Sequence, residues 1–431
     1  MLLARGPATQ PTSSARSAVQ HRPEPRSTIE TSPNMDHHIY LSPGMFGFSR
    51  LASYSYFSHV ERALAARFRE QGHGIATHVS DVLPTASVRR RAAALAELVE
   101  RTATGDGPIH LLGHSIGGLD ARLVASPGAR LPRSSNSSVW LPRLRSVTTM
   151  NTPHYGTPLA TFFATAKGQQ ALYALSAFTI IALSLGERPL AVASVLMGVI
   201  GRGDHALGLT RPILERSVES LLGLVDDARS PDVRSYLKEI KDDQGAMLQL
   251  SPEAMDLMLA GFENRPGVAY QSTVSMSPPP SHKAWLRTLG HPTQALSLAL
   301  FTALHGITAD QDERYPCALV PASLTEASAE ERANQAVVAR GLGKSPDLED
   351  NDGCVPVRSQ LWGTVVWAGL GDHLDVLGHY RDDTPEQSSE LRHHDWLTSG
   401  SNFNDASFES LIDRVVDGMI QSTHPNAGAQ P

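Results

Sequence analysis

Short apolar runs alternate with helix-length stretches from residue 39 onward, and this alternation constrains the fold more than any other feature of the chain. Ile39 to Ser42 breaks at Pro43-Gly44, a helical stretch runs from about Ser58 to Glu70, and Ile75 to Val79 is extended again. A second helical stretch, about Val88 to Thr102, carries Ala93, Leu95, Leu98 and Val99 at helical spacing and leads through Gly105-Asp-Gly-Pro108 into Ile109-His-Leu-Leu112. After Gly113-His-Ser-Ile-Gly-Gly118 come a helical run, Leu119 to Ala125, and the β-branched segment Val147 to Met150. Strands and helices in this order predict an α/β chain whose mostly parallel sheet is covered by helices on both faces.

After Pro158 the alternation stops. Residues 158–267 read as helices and loops, a helical cap or lid inserted between two parts of the core, 35–157 and 268–421. Two apolar blocks stand out in it, Ala171 to Leu185 and Leu190 to Ile200, separated by Gly186-Glu-Arg-Pro189. Each is shorter than the about 20 residues of a spanning helix, so no membrane span is expected. They read as a buried helix pair, or as a cap whose apolar face covers a hydrophobic site and touches a lipid interface transiently. The sheet pattern returns at Val268 to Val274 and ends with Gly363 to Trp367, and an amphipathic helix, about Phe408 to Ile420, closes the core.

The flanks carry little that can pack. Residues 1–34 are rich in Arg, Ser, Pro and Thr, lack the apolar run of a secretory signal, and read as a disordered extension, with Met35 as an alternative natural start. Residues 422–431 read as a frayed tail. With no export signal, the reading places the chain in the cytoplasm. The formal charge of −7, from 44 acidic against 37 basic residues, comes with no Lys/Arg stripe, so a nucleic-acid partner has no electrostatic footprint. Two cysteines, Cys317 and Cys354, exclude a disulfide scaffold and a four-cysteine zinc site, and leave room for one bridge.

The six residues Gly113 to Gly118 satisfy G-x-S-x-G in the context that gives the pattern meaning, after a strand and at the start of a helix. Glycines on both sides allow close approach, Ser115 sits on a strained turn at the carboxyl edge of the sheet, and the helix N-terminus faces developing negative charge. A serine hydroxyl needs a histidine base oriented by a carboxylate, in chain order Ser, Asp or Glu, His. Among 18 histidines, His373 in Gly371-Asp-His-Leu-Asp375 directly follows the last predicted strand; His379, His393 and His394 are its rivals. Asp352 in Asn351-Asp-Gly-Cys-Val-Pro-Val357 leaves room for one strand and two loops before His373. Asp347, Glu349 and Asp350 are alternative acids, or a solvated charge run. Two backbone donors complete the chemistry: Ile116, the residue after the serine, and Met45 in Pro43-Gly-Met-Phe-Gly-Phe48, the loop after the first strand.

These pieces, together with Asn151-Thr-Pro-His-Tyr-Gly-Thr157, resemble in kind and order the bacterial family I triacylglycerol lipases, which have the α/β-hydrolase fold. The resemblance implies Ser115, Asp352 and His373 as a catalytic triad, Met45 and Ile116 as oxyanion donors, no catalytic cofactor, and an apolar lid over a pocket for lipid or long-chain esters. It also implies a structural calcium with Asp375 as one ligand; the alternative is that Asp375 braces the histidine loop. No aspartate lies between Glu313 and Pro346 to serve as a second ligand, so Glu330 or Glu331 stands in. Pro43 replaces a histidine usual in the family and removes a side-chain hydrogen bond that would brace the oxyanion loop. An acyltransferase or thioesterase-like enzyme with the same triad, and a non-catalytic binding protein of this fold, are the rival classes.

Overall fold

A computed structural model describes residues 36–45, 56–82, 85–132, 139–185, 234, 238, 245–312, 327–380, 393 and 395–424. The chain divides into residues 1–34, which lie outside the described residues, and a unit of residues 35–431. The expected second apolar block of the insertion, Leu190 to Ile200, also lies outside them, as do Cys317, His394 and most of the tail.

Within the described residues the elements run β1 (His37–Ser42), α1 (Ser58–Glu70), β2 (Ile75–Val79), α2 (Val88–Thr102), β3 (Ile109–His114), α3 (Ile116–Ala125) and β4 (Leu144–Met150). Then follow α4 (Pro158–Ala164), α5 (Ala166–Leu185), α6 (Gly245–Gln249), α7 (Pro252–Leu259) and β5 (Ala269–Met276). The chain continues with α8 (His282–Arg287), α9 (Pro292–Ala309), α10 (Ala329–Leu342), β6 (Thr364–Leu370) and α11 (Asp405–Gln421). The sheet order is β2-β1-β3-β4-β5-β6, and every neighbouring pair is parallel. This is the α/β-hydrolase fold, with helices on both faces of a parallel sheet and the serine turn leaving a central strand.

Alternation along each strand divides the core between the two faces. Ile39, Leu41, Leu112 and Met150 pack with Val60, Leu64 and Phe68 of α1 and with Leu411, Val415 and Met419 of α11. Tyr40, Leu111 and Val147 pack on the other face against Ala92, Leu95 and Val99 of α2 and Ala121 and Ala125 of α3. Residues four apart on α1 form one apolar stripe, and truncating its fully buried Leu64 to alanine costs about 2–5 kcal/mol.

The expected boundaries move where polar residues are buried. β1 begins at His37, not Ile39, because His37 and His38 are themselves buried. α3 begins at Ile116, not Leu119: its first turn carries Gly117 and Gly118, poor helix formers that close packing requires. Among the described residues between β5 and β6, α8, α9 and α10 went unassigned in the sequence. Their signals are Pro292 in the first turn of α9 and the Ser328/Glu331 capping box of α10. No helix among the described residues is long and apolar enough to cross a membrane.

Candidate active site

The carboxyl ends of β1, β3, β4 and β6 bring the site together. Ser42 pairs with Gly113 and His114 with Met150 in the strand register, so the loop after β1, the serine turn and Asn151 leave the sheet side by side. Ser115 has φ 55 and ψ −129, a region L-residues avoid, and its N–H donates to the Met150 carbonyl at 2.8 Å. The strain persists because the surroundings fix it. A Cβ on Gly113 would lie 2.1 Å from the Gly117 carbonyl oxygen, and one on Gly117 would lie 2.0 Å from the Ser42 carbonyl oxygen. No residue with a side chain fits at either glycine.

His373 follows β6, and its Nδ1 lies 2.8 Å from Oδ2 of Asp352. The two loops are also tied through backbone, His373 N–H donating to the Asp352 carbonyl at 2.9 Å. Asp352 is fully buried and held from several sides. Oδ1 accepts the Cys354 and Val355 amides at 2.9 and 2.7 Å; Oδ2 also accepts Asn151 Nδ2 at 3.0 Å and Gln360 Nε2 at 3.3 Å. The Asn351 side chain accepts the Gly353 amide at 2.8 Å, shaping the turn. Gly353 has φ +95, and a Cβ there would meet Phe301 of α9 at 2.5 Å. The rival acids are used elsewhere: Lys344 pairs with Asp347 and Asp350 at 2.9 and 2.8 Å, and Glu349 is exposed.

Of the rival histidines, His393 stacks on Tyr380 at 4.1 Å and lies 2.6 Å from the Gly378 carbonyl oxygen. His379 is buried and lines the same cavity as Ser115 and His373. Asp352 singles out His373, because that ring holds the carboxylate contact.

Met45, Ser115 and His373 line one cavity, and Ile116 is buried directly behind the serine. Residues 46–48 of the glycine loop lie outside the described residues. Tyr56, His114, Thr157 and His379 also line the cavity, and most of the remaining wall is apolar, with Leu159 and Phe163 of α4, Leu175 of α5, and Leu300 and Leu304 of α9. Cys354 lies in the same wall. Burial first, and then the Asp352 and Asp372 carboxylates, push its thiol well above the usual range, which favours the protonated form over the nucleophilic thiolate.

The described residues do not fit the calcium set. Asp375 Oδ2 accepts the Asp372 amide at 2.8 Å and the Ser401 hydroxyl at 2.7 Å. Asp372 Oδ1 in turn accepts the Leu374 and Asp375 amides at 2.9 and 3.1 Å. The two carboxylates brace the histidine loop reciprocally. Burial, then the Asp395 charge, push Asp372 up to about 7; burial, then the Asp372 and Asp395 charges, push Asp375 well above its ordinary range. Glu331 is committed to the α10 capping box and the Glu330 carboxylate lies 3.4 Å from the Thr364 hydroxyl. Among the described residues no group of three or more His, Cys, Asp or Glu side chains could hold a metal ion.

Sequence reasoning missed Asn151 and Gln360 as partners of Asp352, and Tyr56 and His114 as neighbours of the serine turn. Asn151 directly follows β4, His114 directly precedes the serine and Gln360 lies eight residues after Asp352, so all three sit near the motifs. The partners that Asn151, His114 and Tyr56 take are far off in sequence, and no local pattern reports them.

No protein-family model matches the sequence and no curated protein matches it. Solved structures similar to the chain include a metagenomic carboxyl esterase, at 14% identity and TM-score 0.44, covering 94% of this chain and 82% of that one. The Staphylococcus hyicus lipase is similar at 16% identity and TM-score 0.41, covering 92% and 99%. Lipase 1 from Pelosinus fermentans is similar at 14% identity and TM-score 0.43, covering 85% and 98%. The reading of the site rests on its own geometry.

Proposed function

We propose that the chain is a serine carboxylic ester hydrolase, a triacylglycerol lipase acting on lipid or long-chain acyl esters through Ser115, His373 and Asp352. The observation that carries the reading is the conjunction of a serine on a strained strand-to-helix turn, a histidine paired to a buried carboxylate, and an apolar cavity lined by both serine and histidine. Ser115 Oγ attacks the ester carbonyl while His373 Nε2 takes the hydroxyl proton. Asp352 holds the Nδ1–H tautomer and stabilises the imidazolium that forms. The amides of Met45 and Ile116 donate to the oxyanion of the tetrahedral intermediate. Protonated His373 then gives its proton to the departing alkoxide, and a water activated by the same histidine hydrolyses the acyl-serine.

The apolar lining from α4, α5 and α9 supports a long acyl chain over a small polar one, because each buried methylene gains about 0.8 kcal/mol. The insertion that supplies α4 and α5 acts as the cap over this cavity. The test is hydrolysis of p-nitrophenyl esters from two to sixteen carbons by the wild type and Ser115→Ala. Serine-dependent activity rising with chain length is expected. Equal turnover of acetyl and long-chain esters overturns the lipid preference, and acyl transfer to an alcohol outrunning hydrolysis makes the protein a transferase.

A further inference from the structure

The peptide group between Pro43 and Gly44 is held at both ends. Its carbonyl oxygen accepts a hydrogen bond from Arg91 Nη2, and its N–H donates to the Tyr56 hydroxyl at 3.2 Å. Arg91 is fixed in turn by buried Asp120 at 2.9 Å, whose Oδ2 also accepts the Ser42 hydroxyl at 2.8 Å. In a trans peptide the C=O and N–H point in opposite directions, so two partners on opposite sides stop the plane from rotating. Only the two backbone torsions of Gly44 then separate this fixed plane from the Met45 amide. Those are crowded as well: a Cβ on Gly44 would lie 2.7 Å from the Tyr56 hydroxyl, 3.0 Å from His114 Nδ1 and 3.1 Å from Ser115 Cβ.

Tyr56 is itself bound to the residue before the nucleophile. Its hydroxyl lies 2.7 Å from His114 Nδ1, and His114 Nε2 lies 2.8 Å from the backbone carbonyl oxygen of His373. The carbonyl can only accept, so Nε2 carries the proton and Nδ1 of the neutral ring is an acceptor. Tyr56 therefore donates to His114, and its oxygen accepts from Gly44. The chain of bonds runs in one direction, from the Gly44 amide through Tyr56 and His114 to the His373 loop, each bond polarising the next. Burial, and then the neighbouring His373, keep the His114 imidazole neutral, well below its ordinary range.

We propose that Tyr56 and His114 are positioning residues that preset the oxyanion donor: by holding the Gly44 end of the Pro43–Gly44 peptide they fix where the Met45 amide points, and they lock that setting to the loop carrying His373. The proposal rests on the ester-hydrolase reading for what the Met45 amide stabilises. Arg91 on one side and Tyr56 on the other brace the loop after β1.

The test compares wild type, Tyr56→Phe, His114→Ala, His114→Gln and the Tyr56→Phe/His114→Ala double variant. Three readouts are taken: the rate of Ser115 labelling by a fluorophosphonate, kcat and KM on a short water-soluble ester, and inhibition by an alkyl boronic acid, which forms a tetrahedral adduct on serine. Tyr56→Phe should lower labelling and kcat about ten- to hundredfold with KM little changed, and weaken the boronate by the same factor. His114→Gln keeps one donor and one acceptor, so it should recover most of what His114→Ala loses. The double variant should be no worse than the worse single one, since both break the same chain. Wild-type labelling and boronate affinity in Tyr56→Phe overturn the proposal, as do additive losses or a His114→Gln no better than His114→Ala; this last comparison decides the matter if Tyr56→Phe does not fold. A wild-type chain that fluorophosphonate does not label overturns the hydrolase reading itself, which separates the two failures.

Discussion

Asp352 and His373 meet at 2.8 Å between Oδ2 and Nδ1, and the same carboxylate accepts two backbone amides and the side-chain amides of Asn151 and Gln360. That arrangement orients the carboxylate from every side, and only a group with two acceptor oxygens satisfies it. Asp352→Asn turns one of those oxygens into a donor facing other donors. The expected outcome is a fall in kcat of about ten-thousandfold, from loss of the productive imidazole tautomer. A stability loss of about 1–3 kcal/mol accompanies it, from N–H groups left unpaired. Steady-state kinetics and urea melts check both. A rate within tenfold of wild type would rule out Asp352 as the acid.

The loop after β1 allows the proposed backbone donor to be told apart from a side-chain role. Met45→Ala keeps the amide donor and trims one apolar cavity wall, so kcat should change by less than about fivefold. Gly44→Ala places a methyl 2.7 Å from the Tyr56 hydroxyl and 3.1 Å from Ser115 Cβ, so Tyr56 or the turn must move. Its kcat should fall about tenfold or more, with a smaller change in KM. Measuring kcat and KM for the pair on one soluble ester is enough; equal effects would show that Met45 does not donate through its backbone.

The sheet and the serine turn were legible in the sequence because both are local. Each strand and helix shows its own periodicity within its own length, and Gly113 to Gly118 states its own geometry. His373 was legible through its position after the last strand, and Asp352 through its place after the acidic run, far enough before His373 to leave room for one strand and two loops; the structure pairs the two. The brace of the loop after β1 was not legible: nothing in the sequence near Arg91 or Tyr56 says that those side chains bond the two ends of the Pro43–Gly44 peptide. Burial also misleads near the strand ends, where His37, His38 and His110 read as polar and pack as core.

Calcium gives a third prediction. Asp375 Oδ2 already has two protein donors, from the Asp372 amide and the Ser401 hydroxyl, and among the described residues no group of three or more His, Cys, Asp or Glu side chains could complete a cation site. EDTA should leave ester hydrolysis and the melting temperature unchanged, and added calcium should not raise either. Ser401→Ala, by contrast, should lower the melting temperature by a few degrees through the lost bond to a buried carboxylate. Activity lost to EDTA and restored by calcium would make Asp375 a ligand after all.

The amino ends of the strands carry the last prediction, an acid sensitivity far from the chemistry. His37 Nδ1 lies 3.0 Å from His110 Nε2, His37 Nε2 lies 3.3 Å from His73 Nδ1, and His110 Nδ1 lies 2.8 Å from the Ser146 hydroxyl. Burial, then His73 and His38, lower His37 to about 4; burial and then His37 hold His110 well below its ordinary range. Between pH 6.5 and about 4 the unfolded chain therefore binds protons at these rings that the folded chain refuses. Stability is full above pH 6.5, falls as the pH drops, and levels off for His37 below about 4, a loss on the order of 2 kcal/mol from that ring alone. Urea melts at pH 7, 6, 5 and 4 should show this decline, and His37→Asn should flatten it while starting from a lower stability at pH 7. A decline as steep in His37→Asn as in wild type would place the acid-sensitive groups elsewhere in the fold.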